Sequence, residues 1–309
     1  MLAKAEIGFG KTGSDRLNNE RLQKAMAGDR RALAKLLSAV EEGNENSQSL
    51  GLDNHLDDGT IIGVTGAPGV GKSCLIEKLL CHWSNEGLKV GVIAVDPSSP
   101  LSGGALLGDR IRMESADSDP NVFVRSFATR NQPGGLPVAV GLASNLMRNC
   151  GYDIVLIETV GAGQAEIRIV SFADRVVLIE SPSRGDLIQA EKAGVMELAD
   201  LVIVNKSDLE GADRAAMEIQ TALEISGNPP PVLLASAKTG EGIDEFSSKL
   251  KSLPVKTGAE MARARERLLA AWDSALLSRN DISEILNLLT KSDSNAHDWV
   301  EENLRWSNE

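Results

Sequence analysis

The stretch Gly66-Ala67-Pro68-Gly69-Val70-Gly71-Lys72-Ser73 satisfies G-x-x-x-x-G-K-[ST] at every specified position, and it constrains the fold more than any other feature of the chain. The apolar run 60–65 before it reads as a buried strand, and 73–83 after it carries helical periodicity. A strand, a glycine loop and a helix in that order make a phosphate cradle. The glycines let successive backbone N–H groups turn inward, and the helix N-terminus adds positive dipole. Lys72 is placed to reach β- and γ-phosphates, and Ser73 offers its hydroxyl to Mg²⁺. Cys74, in the first helical turn, ends the phosphate-binding stretch. A loop that merely closed a strand-to-helix turn would need neither the lysine nor the serine.

The base is specified further along. The strand pattern Leu201-Val202-Ile203-Val204 runs into Asn205-Lys206-Ser207-Asp208, an N-K-x-D sequence of the kind that reads guanine. A carboxylate at Asp208 can accept from guanine N1–H and the exocyclic amine together. Adenine offers neither donor, and an unsatisfied carboxylate costs about 1–3 kcal/mol or more. Ser236-Ala237-Lys238, after the pattern Val232-Leu233-Leu234-Ala235, matches a third element whose backbone contacts the base. GTP and GDP are therefore the expected ligands and ATP a poor one.

Strand patterns at 60–65, 89–95, 121–127, 153–158, 175–180, 200–205 and 231–235 alternate with helical stretches. This predicts an α/β fold with a mostly parallel, doubly wound sheet, whose ligands sit beyond the carboxyl ends of the strands. We divide the chain into an N-terminal helical extension and linker (1–56), a nucleotide domain (57–252) and a C-terminal helical arm (253–309). Leu17, Leu22, Met26, Leu33, Leu36, Leu37 and Val40 recur at helical spacing with a break at Gly28-Asp29, giving two short amphipathic helices. A polar linker over 43–51 follows. Beyond Pro254, residues 257–279 and 281–306 read as two or three helices carrying large apolar side chains among charges. They read equally as a cap on the sheet or as an arm for dimerisation or partner docking.

At 309 residues and 42% apolar composition the chain can bury a sizeable core. A net charge of −12, one Tyr and five Phe argue against nucleic acid as a partner, and the acidic surface disfavours anionic membranes. No apolar run approaches 18 residues and the N-terminus lacks a signal core, so a cytoplasmic protein is expected. Cys74, Cys81 and Cys150 are odd in number and scattered, which suits reduced thiols used in packing. His55, His82 and His297 stand far apart, offering no metal-delivery cluster.

Four further stretches point past a generic nucleotide switch. Val95-Asp96-Pro97-Ser98-Ser99, Leu107-Gly108-Asp109-Arg110-Ile111-Arg112-Met113, Glu158-Thr159-Val160-Gly161-Ala162-Gly163-Gln164-Ala165-Glu166 and Met196-Glu197-Leu198-Ala199-Asp200 resemble the MeaB/ArgK (MMAA-like) family of P-loop GTPases, over roughly 15 to 252. The resemblance implies a SIMIBI-class fold, GTP hydrolysis with Mg²⁺, and homodimers. Members are chaperones of adenosylcobalamin-dependent acyl-CoA mutases, above all methylmalonyl-CoA mutase, and they gate cofactor loading and protect or rescue the mutase. An adenosyltransferase is the second partner it suggests.

The resemblance also assigns residues. Ser73, Asp96, Asp109 and Glu158 would lie around Mg²⁺, directly or through water, an incomplete oxygen shell that the phosphates complete. Gly161-x-Gly163 looks like a switch hinge with Gln164 and Glu166 beyond it, and 181–192 like an additional switch presenting Asp186, Gln189 and Lys192. Lys72, Glu158, Gln164 and Lys192 form the implied catalytic set. The chain departs from the family pattern at 130–137 and at 180–185, so the expected client extends to a related isomerase acting on a branched or hydroxylated acyl-CoA. Three rival readings stand beside this one, and one of them, a non-hydrolysing nucleotide-binding scaffold, is separated by GTP turnover with and without a client. A nickel-insertion GTPase of the same superfamily needs Cys or His ligands, and an ATP-dependent kinase linked to amino-acid transport conflicts with Asp208.

Overall fold

A computed structural model describes residues 13–45, 47–52, 59–96, 119–129, 139–159, 168–182, 196, 198–224, 229–253, 260–277, 279, 281–291, 296 and 299–300. Seven strands form one sheet: β1 (Thr60–Thr65), β2 (Val90–Asp96), β3 (Val122–Ala128), β4 (Ile154–Glu158), β5 (Arg175–Glu180), β6 (Leu201–Val204) and β7 (Val232–Leu234). Their order is β3-β2-β4-β1-β5-β6-β7 and every pairing is parallel. All seven expected strands are present, β1 and β5 with the expected ends and the others displaced by one residue at one or both ends. Their near-continuous Val/Ile/Leu runs follow from burial on both faces, which parallel sheets require. From β1 the chain crosses to β2 and out to β3, returns to set β4 between β1 and β2, and then steps outward through β5, β6 and β7 on the other side, so the carboxyl end of β1 is where the crevice opens.

The helices are α1 (Gly13–Met26), α2 (Arg30–Glu41), α3 (Ser47–Leu50), α4 (Lys72–Asn85), α5 (Ala139–Asn149), α6 (Ala212–Glu224), α7 (Ile243–Ser252), α8 (Glu260–Leu277) and α9 (Ile282–Lys291). On one face α4 and α7 pack Leu75, Ile76, Leu79, Trp83, Phe246 and Leu250 against Ile62, Val64, Val92 and Leu156. The Trp83 indole is fully buried and donates to Ser247 Oγ at 2.7 Å, which satisfies its one polar atom and links the two helices. On the other face α2 and α5 cover β3, β2 and β4, and α6 covers β6 and β7. A 3₁₀ turn, Ile169–Ser171, lies directly on β1, because a Cβ on Gly63 would come within 2.6 Å of the Ile169 side chain.

The break expected at Gly28-Asp29 is a cap. Asp29 accepts from Arg31 N at 2.9 Å and Ala32 N at 3.0 Å, filling two donors that the start of α2 leaves open. Leu33, Leu36, Leu37 and Val40 of α2 then join the cluster that includes Phe127, Val140, Leu146 and Val155, so these helices share the sheet's core. Within the expected polar linker the structure forms α3, and Leu50 and Leu52 are buried in the same cluster. Leu50, with Leu52 just past the linker, anchors a segment whose Gly, Asn and Ser content read as loop. The cysteine expectation is corrected as well: Cys150 is buried, with its thiol pushed up to about 12 by burial, but Cys74 and Cys81 are exposed on the outer face of α4.

The C-terminal helices are of two characters. α8 rests on the 3₁₀ turn, with Ala270 buried and Asp273 paired to Arg168. Met261 is 81% exposed and Leu268 69%, and Leu269, Leu286 and Leu288 are also exposed. No described helix is long and apolar enough to cross a membrane.

Because α2 is part of the sheet's own core, Leu37→Ala should lower unfolding stability by about 2–5 kcal/mol. Denaturant unfolding followed by both Trp fluorescence and far-UV circular dichroism should shift as one transition. An unmoved fluorescence transition would make the helical pair an appendage.

Candidate functional site: a guanine nucleotide cradle

The loop between β1 and α4 takes its shape from two glycines. At Gly66, φ +142°, a Cβ would lie 2.1 Å from the Ile179 carbonyl oxygen; at Gly71, φ +95°, it would lie 2.3 Å from Asn205 Nδ2. Neither conformation nor space admits a side chain. Gly71 caps α4, so the helix begins at Lys72 with its first N–H groups open toward the loop. Ala67 and Val70 are buried and hold the loop to the core, whereas Pro68 and Gly69 form its exposed crest. The Lys72 side chain folds over the loop, its ammonium donating to Gly66 O at 2.7 Å and Ala67 O at 3.2 Å, and the residue is only 7% exposed.

Ser73 and Glu158 meet. The Ser73 hydroxyl donates to Glu158 Oε1 at 2.7 Å, leaving the serine's oxygen lone pairs available to a cation. Register explains the meeting. Glu158 is the last residue of β4, pairs with Val64 of β1 on one side and Ala94 of β2 on the other, and points to the face that α4 covers. Asp96, two residues beyond Ala94, stands on that same face and is buried. Hydroxyl and carboxylate oxygens are the donors that Mg²⁺ prefers, and a shell this incomplete suits an ion that keeps waters and takes phosphate oxygens. Ser73, Glu158 and Asp96 therefore fit the ion. When bound, it would neutralise charge on the β- and γ-phosphates.

The base end is built around Asn205, which is 1% exposed. Its Nδ2 donates to Val70 O at 2.7 Å in the phosphate loop, and its Oδ1 accepts from Ala237 N at 3.1 Å in the loop after β7. Lys206 lies in the left-handed region at φ 65°, with its ammonium donating to Gly69 O at 2.9 Å across the crest. Asp208 is oriented by the third loop: buried Ser236 donates to Oδ1 at 2.6 Å and Lys238 Nζ stands 3.5 Å from Oδ2. The Ser236 hydrogen bond first, and Lys238 with it, hold the Asp208 carboxyl below its ordinary value.

The expected nucleotide-binding residues from Gly66 to Ser73 and from Asn205 to Lys238 thus converge at the carboxyl ends of β1, β6 and β7, with Glu158 and Asp96 beside them. Cys74 follows Ser73 with its side chain exposed. Asp109, Gln164, Glu166, Asp186, Gln189 and Lys192 lie outside the described residues, as do 130–137 and 183–185. Sequence reasoning placed Asn205 with the base and missed its bond to Val70 O; the signal was the requirement that a buried amide satisfy both ends. It also missed the hydroxyl pair Thr65–Thr159, 3.2 Å apart and buried, which ties the ends of β1 and β4.

Comparison with known proteins agrees with this geometry. Residues 26–287 match the model of a family described as methylmalonyl Co-A mutase-associated GTPase MeaB. A protein of Pyrococcus horikoshii named as a GTPase is 45% identical over 244 residues, 75% of this chain and 76% of that one. A mitochondrial methylmalonic aciduria type A homolog of Mus musculus is 37% identical, over 71% of this chain and 55% of its own length. A solved structure, described as a LAO/AO transport system kinase, superposes with a TM-score of 0.63 at 26% identity, covering 97% of this chain and 96% of that chain.

The depressed pKa of Asp208 has a direction that can be tested. A carboxylate held below its usual value keeps its guanine contact as pH falls and loses it only on passing through the folded-state pKa. The ratio of GDP to ADP affinity, in which phosphate titration cancels, should stay level from pH 7.5 to 5. In Ser236→Ala the ratio should fall about tenfold at neutral pH and begin to drop further at a higher pH than in the parent, as measured by equilibrium binding of fluorescent nucleotides.

Proposed function

Because the chain belongs to the family of methylmalonyl-CoA mutase-associated GTPases, MeaB, we propose that it uses GTP hydrolysis to gate cofactor loading into an adenosylcobalamin-dependent acyl-CoA mutase and to protect or reactivate that enzyme. It is a P-loop GTPase, releasing GDP and phosphate. The observation that carries the reading is the fixed Asp208 carboxylate at one end of a cradle whose other end is Lys72-Ser73. Guanine and a magnesium triphosphate would be bound at once, and the Ser73–Glu158 bond ties the phosphate end to the strand that leads into 160–167.

In this reading Lys72 moves from its loop carbonyls to the phosphates and stabilises the charge that develops on phosphoryl transfer. Ser73, Glu158, Asp96 and Asp109 attend Mg²⁺; Gln164 and Lys192 complete the catalytic set, and 181–192 carries nucleotide state to the client. The exposed apolar side chains of α8 and α9 support assignment of the arm to a homodimer. The client is methylmalonyl-CoA mutase or a related isomerase, with an adenosyltransferase as a further partner. A transport-system kinase, as the solved neighbour is called, is not favoured for this chain, since adenine lacks the two donors that guanine would offer Asp208.

Lys72→Ala should reduce GTP turnover at saturating nucleotide by about a hundredfold or more, the scale of a lost preorganised charge. Asp208→Asn should cost guanine nucleotides roughly tenfold in affinity relative to xanthine ones, read by competition binding.

The client claim is tested by GTP turnover with and without a purified adenosylcobalamin-dependent mutase. Stimulation is expected, and Lys192→Ala and Gln189→Ala should abolish it while leaving GTP affinity within about twofold. Binding must be reciprocal: a mutase that prefers the GTP form tightens GTP by the same factor. No stimulation by any mutase would leave a GTPase with another client.

A further inference from the structure

Past Ala94, the described pairing of β2 is with β3. The β2–β4 ladder ends at Ala94 and Glu158, whereas the β2–β3 ladder runs on through Val95–Phe127 to Asp96–Ala128, and Thr129 N donates to Asp96 O at 2.9 Å. The backbone of Asp96, the buried carboxylate on the phosphate side of the sheet, is thus tied to β3. Among the described residues β3 is the edge strand, and its outer N–H groups face no further described strand.

One residue of α2 supplies the missing partner at the decisive place. Glu41, the last residue of α2, accepts from Ala128 N through Oε1 at 3.2 Å and from Arg125 Nη2 through Oε2 at 3.3 Å; Arg125 also donates to Ser38 Oγ at 3.0 Å. The Glu41 side chain is 12% exposed, so this is a clamp set into the structure. It grips the residue that pairs with Asp96. α2 is in turn fixed by its Asp29 cap and by Leu33, Leu36 and Leu37 in the core.

We propose that Glu41 is a positioning residue for the magnesium end of the nucleotide site, acting on Asp96 through Ala128 and the β3 edge. This deepens the reading of Asp96 given above and rests on it. The N-terminal helical pair is then part of the catalytic scaffold. Its carboxylate touches neither nucleotide nor ion, and its effect is carried by two rungs of backbone hydrogen bonding.

The test uses the full chain and fluorescent GDP titrated with Mg²⁺. Glu41→Ala should raise the Mg²⁺ concentration that half-saturates the tightening of GDP by roughly five- to tenfold, while affinity for GDP at saturating Mg²⁺ stays within twofold. Glu41→Gln keeps an oxygen for Ala128 N–H and should stay within twofold in both. Hydrogen exchange should show 90–96 and 122–129 losing protection in Glu41→Ala and keeping it in Glu41→Gln, without metal or nucleotide. Asp96→Ala is the reference and should shift Mg²⁺ dependence at least as far.

If Asp96→Ala shifts and Glu41→Ala does not, the positioning role is overturned and the role of Asp96 stands. If Asp96→Ala leaves Mg²⁺ dependence unchanged, the assignment of Asp96 itself fails, and with it the route proposed for Glu41. Equal shifts in Glu41→Gln and Glu41→Ala would place the effect in lost charge and overturn the hydrogen-bonding route.

Discussion

A single buried amide sets the dimensions of the nucleotide site. Asn205 donates to the Val70 carbonyl and accepts from the Ala237 N–H, so the phosphate loop, the strand end of β6 and the loop after β7 are fixed at one separation. The lack of a side chain at Gly71 is the other half of this arrangement, since the Asn205 amide fills the space a Cβ would need. A ligand that spans the two ends must match a distance the protein has already chosen. Preorganisation of this kind lets the site bind without ordering its loops at the moment of contact.

The fold was largely legible because its physics is repetitive. Strands buried on both faces carry long apolar runs, and β1, β2, β4, β5 and β6 stood out for that reason, whereas β3 carries Arg125 and Ser126 and β7 is half-buried. Asp29 was visible as a break and is a cap, the same residue seen first as punctuation and then as a hydrogen-bond acceptor. The site was legible wherever a motif names its own chemistry, as at Lys72, Ser73 and Asp208. It was illegible where meaning depends on which strand is a neighbour. Glu158 faces Ser73 because β4 inserts between β1 and β2, and Glu41 reaches Ala128 because α2 ends beside the sheet's edge; neither adjacency is written in local sequence. Cys74 and Cys81 misled because cysteine is usually buried, and here they fall on the outer face of a helix whose inner face is filled by Leu75, Leu79 and Trp83.

The C-terminal arm is joined to the nucleotide domain through a short chain of contacts. Arg168 pairs with Asp273 of α8, and the next residue, Ile169, sits in the notch that Gly63 leaves on β1. β1 is the strand that delivers the phosphate loop, so the turn on which α8 rests lies against β1 three residues before Gly66. A second tie joins the arm to β5, where Arg175 Nε donates to Leu253 O at 3.0 Å.

The two ends of the sheet are closed by unlike means. Along β3 the Glu41 carboxylate occupies the Ala128 N–H, and at the opposite margin β7 is three residues long, too short to template another strand. A visiting polypeptide that tried to add a strand would meet an occupied N–H at the end of β3 and only three residues at β7, so both described margins discourage the promiscuous pairing that open strands invite.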